Sequence, residues 1–172
     1  VSTLVTEGSE IDDEAALRGN SIYFPQHVVP MLPEVLCNGL CSLQENQPRL
    51  AKSAFISYDA KGKRTGSRFA NTVIWSNKRL TYDDVTALLN NKKVDDMDPQ
   101  VAKLIRRMNQ LAKKIRKRRL ADGMVVLDLP EIELVQEDDR VVDVEPADTS
   151  FSHTIIEMFM VEANEVVAEL MT

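Results

Sequence analysis

The stretch from Asp98-Pro99 to Gly123 limits most strongly how this chain can fold. Within it Val101, Leu104, Ile105, Met108, Leu111, Ala112 and Ile115 recur at alternating steps of three and four, the signature of one apolar helix face. Asp98 is a good N-cap, and Pro99 stands at the first helical position, where its missing N–H is not needed. Gly123 supplies the stop. The spacing predicts a helix of about six turns. Such a helix must bury its stripe against other elements, which excludes an all-β fold.

The opposite face of that helix is basic. Residues 98 to 121 hold Lys103, Arg106, Arg107, Lys113, Lys114, Arg116, Lys117, Arg118 and Arg119 against the single acid Asp98. The segment carries +8 in a chain of net charge -6, so the remainder carries -14. The bulk charge argues weakly against a nucleic-acid partner. The local run leaves two readings open: a solvated helix face, or a surface that meets phosphate. If it meets phosphate, neutralising Lys113, Lys114, Lys117 and Arg118 should lower the salt dependence of binding.

Around this helix the pattern mixes strands and helices without βαβ regularity. Val1 to Val5 reads as a short strand, and Ile11 to Leu17 as an acidic helix stopped by Gly19. Ser21 to Phe24 reads as extended. Pro25, Pro30 and Pro33 make the next stretch irregular or extended, and Asn38-Gly39 marks a turn. Ala51 to Tyr58 and Arg64 to Trp75 are β-rich, with Asp59 to Gly62 as the hairpin loop between them. Leu80 to Leu89 is helical, with Thr81 as N-cap and Asp84 three residues on. Met124 to Leu127, Glu131 to Val135 and Val141 to Val144 read as strands. A last helix runs from about Ser152, with Ile155, Ile156, Phe159, Met160, Ala163, Val167 and Leu170 among its apolar positions. The order predicts an α+β domain, a mixed β-sheet with packed helices. With 172 residues, the chain can bury a sizeable core.

Several chemistries are not signalled. No Gly-x-Ser-x-Gly elbow is present, and Lys61-Gly62-Lys63-Arg64-Thr65-Gly66-Ser67 has phosphate-loop composition without the order of a P-loop. Cys37 and Cys41 are too few for a zinc site or a disulfide framework, and read as reduced, partly buried thiols of a cytosolic protein. His153 and Glu157 share a helix face at i, i+4, but a helix-end histidine suits the pattern better than a metal pair. His27 reads as a surface residue. No apolar run approaches a membrane span. The chain opens at Val1 without Met, and both ends read as cut.

Gly19-Asn20-Ser21-Ile22-Tyr23-Phe24-Pro25, then Val29-Pro30-Met31-Leu32-Pro33-Glu34, then Leu36-Cys37-Asn38-Gly39-Leu40-Cys41-Ser42-Leu43 resemble, in that order, motifs of the RNB catalytic domain of the ribonuclease II/ribonuclease R family. Ser76 to Val85, Gly123 to Glu131 (ending Asp-Leu-Pro-Glu) and Ile155 to Asn164 continue the likeness, which covers essentially the whole chain. The resemblance implies a processive, hydrolytic 3'→5' exoribonuclease that degrades single-stranded RNA to nucleoside 5'-monophosphates in the cytoplasm. It implies Mg²⁺ held by a cluster of aspartates, single-stranded RNA and other RNA-decay proteins as partners, and no membrane.

Carried over by residue, Tyr23 resembles the tyrosine that stacks on a base near the 3' end, where a π-face gives sequence-tolerant contact. Tyr82 and Glu157 resemble a pair linked to the ribose 2'-OH, the group that separates RNA from DNA. Leu127 stands where many bacterial members have a phenylalanine against the far side of the bases. A leucine there can pack but supplies no ring. The aspartate cluster of the family lies upstream of the position matching Val1, and a phosphate-gripping arginine lies downstream. The resemblance therefore implies an incomplete RNB domain over residues 1–172, with no catalytic or metal-binding residue of its own. An RNB-like RNA-binding module lacking a metal site is the alternative, and a general interaction domain built on the basic helix is a third.

Overall fold

The computed structural model describes residues 1–24, 27–127, 132–137, 140–146 and 151–172. Helices alternate with two-stranded sheets, so the class is α+β, as expected. The Asp-Leu-Pro-Glu motif and Pro25 lie outside the described residues. By its contacts the chain divides into two compact units, one built mainly from residues 1–50 and the other from residues 51–72, 78–130 and 148–172.

In the first unit, α1 spans Glu10–Arg18. Ser9 caps it by accepting from the Asp12 N–H, and Gly19 ends it at φ 69, a left-handed conformation that glycine adopts without a Cβ clash. Arg18 Nη1 donates to the Pro30 carbonyl at 2.9 Å, tying the helix to the proline-rich segment. β1 (Ile22–Tyr23) and β2 (Val28–Val29) pair antiparallel, with Tyr23 opposite Val28. A short π-helix, Val35–Leu40, follows. It absorbs Asn38-Gly39, for which a turn was expected, and its wider winding shows in the Cys41 N–H reaching the Leu36 carbonyl at 2.8 Å. Val1 to Val5 is not a strand. The N–H groups of Leu4 and Val5 both turn back to the Val1 carbonyl, and no described strand offers them a ladder. β5 (Ile132–Glu137) and β6 (Arg140–Pro146) form a separate antiparallel hairpin.

The hairpin of β3 (Pro48–Tyr58) and β4 (Arg64–Trp75) carries the chain into the second unit. Three helices follow. α2 is Tyr82–Leu89, α3 is Pro99–Ala121 and α4 is Phe151–Met171. Asp98 caps α3 by accepting from the Gln100 N–H at 2.6 Å. The core joins Ala112 and Ile115 of α3 to Ile155 and Met158 of α4, with Val85 and Leu89 of α2 packed around them. Leu104, placed on the apolar stripe by its spacing, is half-exposed instead.

α3 ends in a Schellman closure. The Met124 N–H bonds the Arg119 carbonyl at 2.8 Å and the Gly123 N–H bonds that of Leu120 at 3.3 Å, with Gly123 at φ 97. The Met124 side chain packs on the core. This explains why Met124 to Leu127 is not the strand its composition suggests. Its first N–H closes a helix rather than joining a sheet.

Glu162 of α4 is 1% exposed and was not anticipated as a buried group. It accepts from Arg118 and from Arg119 (3.1 Å) of α3, and from the Tyr58 hydroxyl of β3 at 3.0 Å. Burial, then the bond to Glu162, pushes the Tyr58 hydroxyl well above the usual phenol range. One carboxylate thus ties three elements together.

Candidate nucleic-acid interface

A groove of about 610 Å³ opens in the second unit where α2, α3 and α4 converge. Its floor is apolar, from Val85, Ile105, Met108 and Ile155. Its rim carries Lys78, Arg79 and Tyr82. Tyr82 is the first residue of α2, and the reason lies in its neighbours. The Thr81 Oγ accepts from the Asp84 N–H at 3.2 Å, while Asp84 Oδ2 accepts from the Thr81 N–H at 2.9 Å and the Thr81 hydroxyl at 2.8 Å. This reciprocal capping box fixes the helix start, and so the ring, at the groove. The Thr81 backbone N–H, first, and its hydroxyl hold the Asp84 carboxyl below the usual carboxylate range.

The ring of His153, in the first turn of α4, stacks on Tyr82 with centroids 3.7 Å apart and planes 23° from parallel. The His153 Nδ1 is buried and has no hydrogen-bond partner among the described residues. A helix-end histidine was expected, but not this stack. Glu157 lies one turn further along α4, exposed and free of any described ion pair. An apolar floor, a phenol and two cations together can bind a nucleotide. The floor suits a base, the hydroxyl a sugar hydroxyl, and the cations a phosphate. Lys78, Ile105 and Met108 were not singled out from the sequence for this role. Only folding brings them to Tyr82.

Tyr23 belongs to the first unit and stands 77% exposed on β1, between the exposed Ile22 and Phe24 in the chain. Leu127, 74% exposed, follows Val125 and Val126, which are exposed too. Apolar side chains left in water in this way are available to stack or pack on a ligand. Cys37 and Cys41 are free and half-buried. Among the described residues no group of three or more His, Cys, Asp or Glu could hold a metal ion. The described residues therefore do not assemble a magnesium site.

The profile of the RNB domain family matches residues 1–172. The chain belongs to the RNB domain family. This RNB chain is 39% identical over 170 residues to ribonuclease R of Chlamydia pneumoniae, covering 98% of the chain and 24% of that relative. It spans about a quarter of the length of the curated relatives it matches. Two structures of RNase R from Mycoplasma genitalium superpose closely. One, in complex with double-stranded RNA, gives a TM-score of 0.94 at 36% identity over 98% of this chain and 30% of that one. The other, in complex with ribose methylated single-stranded RNA, gives 0.93 at 35% over 98% and 27%. The RNB fold extends further, to yeast Ssd1, a pseudonuclease, with a TM-score of 0.70 at 19% identity over 98% of this chain and 20% of that one. No described helix is long and apolar enough to cross a membrane.

Proposed function

We propose that this chain is part of the RNB catalytic domain of a cytoplasmic exoribonuclease that degrades single-stranded RNA processively, from 3' to 5', to nucleoside 5'-monophosphates. The observation that carries the reading is the groove beneath Tyr82, in a chain 39% identical to a ribonuclease R. In this reading the preceding segment of the parent protein supplies the aspartates for Mg²⁺, and a following segment supplies a phosphate-gripping arginine. Tyr23 stacks on a base near the 3' end. Tyr82 and Glu157 read the ribose 2'-OH, and Leu127 packs against the bases without a ring of its own. Other RNA-decay proteins are its partners.

The test uses the full-length protein, Mg²⁺ and a 5'-labelled single-stranded RNA. Release of nucleoside 5'-monophosphates one at a time supports the proposal, and an intact substrate sinks it. Tyr82→Phe combined with Glu157→Ala should relax the preference for RNA over an oligomer lacking the 2'-OH.

A second reading is an RNB-like RNA-binding module lacking a metal site. The shared fold with a pseudonuclease favours keeping it in view. Aspartates in the pattern D-x5-D-x-D-D just upstream of Val1 would decide for the enzyme.

A further inference from the structure

Two basic segments remote in sequence meet in the second unit. The tip of the β3–β4 hairpin, Lys61-Gly62-Lys63, rests on α3 so closely that a Cβ added to Gly62 would stand 2.8 Å from the Lys114 Cβ and 3.1 Å from its carbonyl carbon. Arg118 Nη1 also donates to the Gly62 carbonyl at 3.3 Å. The exposed Asp59 carboxylate closes the loop, accepting from the Lys61 and Lys63 N–H groups at 2.8 and 2.9 Å. Lys61 and Lys63 flank the contact and are both exposed.

The structure also sorts the nine cations of α3. Arg118 and Arg119 turn inward to Glu162. Arg106 donates to the Leu88 carbonyl and to Asn91, and Lys113 lies over the Phe151 ring at 5.3 Å. Arg116 is half-buried. Lys103, Arg107, Lys114 and Lys117 remain, all exposed and none in a described ion pair. Their spacing of 4, 7 and 3 keeps them on one helix face over about 21 Å. Ile105 and Met108, which floor the Tyr82 groove, lie on the other side of the helix.

We propose that Lys61 and Lys63, with Lys103, Arg107, Lys114 and Lys117, form one continuous track for the phosphodiester backbone of RNA, on the face of α3 opposite the Tyr82 groove. Charge complementarity selects this occupant. None of these six cations stands in a described ion pair, although the Asp59 carboxylate acts on Lys61 across the loop, and the four on α3 are exposed in the one segment that carries +8 against -14 for the rest of the chain. A row of exposed cations with no apolar anchor suits a sequence-independent phosphate contact. The proposal rests on the parent protein acting on RNA. It drops Lys113 and Arg118 from the four cations that the sequence singled out, and puts Lys61 and Lys63 in their place.

The test is the salt dependence of binding to a long unstructured RNA by full-length protein bearing Lys61→Gln, Lys63→Gln, Lys114→Gln and Lys117→Gln. At about 0.7 per phosphate contact on a single strand, the slope of log affinity against log salt should fall by roughly 3. The matching Lys→Arg variant should keep the parent slope, and turnover of an oligonucleotide too short to leave the Tyr82 groove should not change. An unchanged slope overturns the track, and so does an equal loss on long and short substrates. Amine labelling of the unmodified protein gives an answer independent of any variant. RNA should protect these four lysines but not the exposed Lys93, and equal labelling with and without RNA overturns the proposal. If the unmodified protein does not bind RNA at all, the nuclease reading falls as well.

Discussion

The imidazole of His153 lies flat against the phenol ring of Tyr82, with centroids 3.7 Å apart. The stack sets the plane of the ring that we assign to ribose recognition. A ring pair of this kind contributes about 1 kcal/mol beyond its burial. His153→Ala should lower the thermal midpoint modestly and weaken the preference for RNA over DNA in the full-length protein. His153→Phe should restore both. If discrimination is unchanged in the alanine variant, His153 has no positioning role.

Glu162→Gln removes the charge that Arg118 and Arg119 share while leaving the shape. Breaking one side of a buried ion cluster costs about 3 to 5 kcal/mol. The lower end is expected here, because both arginines keep about a fifth of their side chains in water. Urea unfolding measures this, and a loss below roughly 1 kcal/mol would show that the cluster is not a stabilising joint.

These two sites show what could be read from the chain and what could not. Asp98-Pro99, Thr81 with Asp84, and Gly19 announce helix boundaries because each acts on backbone groups within four residues. The strand expected at Val1 to Val5 was a statement about propensity, and a strand needs a partner that propensity cannot supply. Glu162 was missed for a related reason. Its burial depends on Tyr58, Arg118 and Arg119 arriving from elsewhere, while its i, i+4 line through Met158 and Val166 is visible only once those two are known to be buried. Tyr82 was found through its motif, whereas the groove beside it exists only in three dimensions.

Acid should loosen two local structures. The Asp84 carboxyl is held low by the Thr81 N–H and hydroxyl, and that of Asp59 chiefly by the Lys63 N–H. A carboxyl whose pKa falls on folding adds stability above its unfolded value, about 3.9, and loses it as pH drops through the folded value. Thermal midpoints should therefore decline below about pH 4. Asp59→Asn with Asp84→Asn should flatten that decline, and an identical pH profile for the double variant would refute the assignment.

Tyr23 is so exposed that its loss should leave the fold intact. In the full-length protein Tyr23→Ala should lengthen the final oligonucleotide product without shifting the thermal midpoint. An end product of unchanged length would remove Tyr23 from the proposed stacking role.

Gly62 tests how firmly the hairpin tip is seated. At φ 82 and with Lys114 only 2.8 Å from an added Cβ, Gly62→Ala combines backbone strain with a clash. A loss of about 1 to 3 kcal/mol is expected. A neutral effect would mean that the tip can lift from α3.

The closure at the end of α3 has a consequence for Leu127. Met124 is anchored in the core, so Leu127 hangs from it on a tether of three residues. Fully stretched, that tether is about 10 Å long. Leu127 stays within that reach of a fixed post, and it cannot follow a ligand further without pulling Met124 out of the core or unwinding the last turn of α3. Whatever wall it forms is sited by a helix cap.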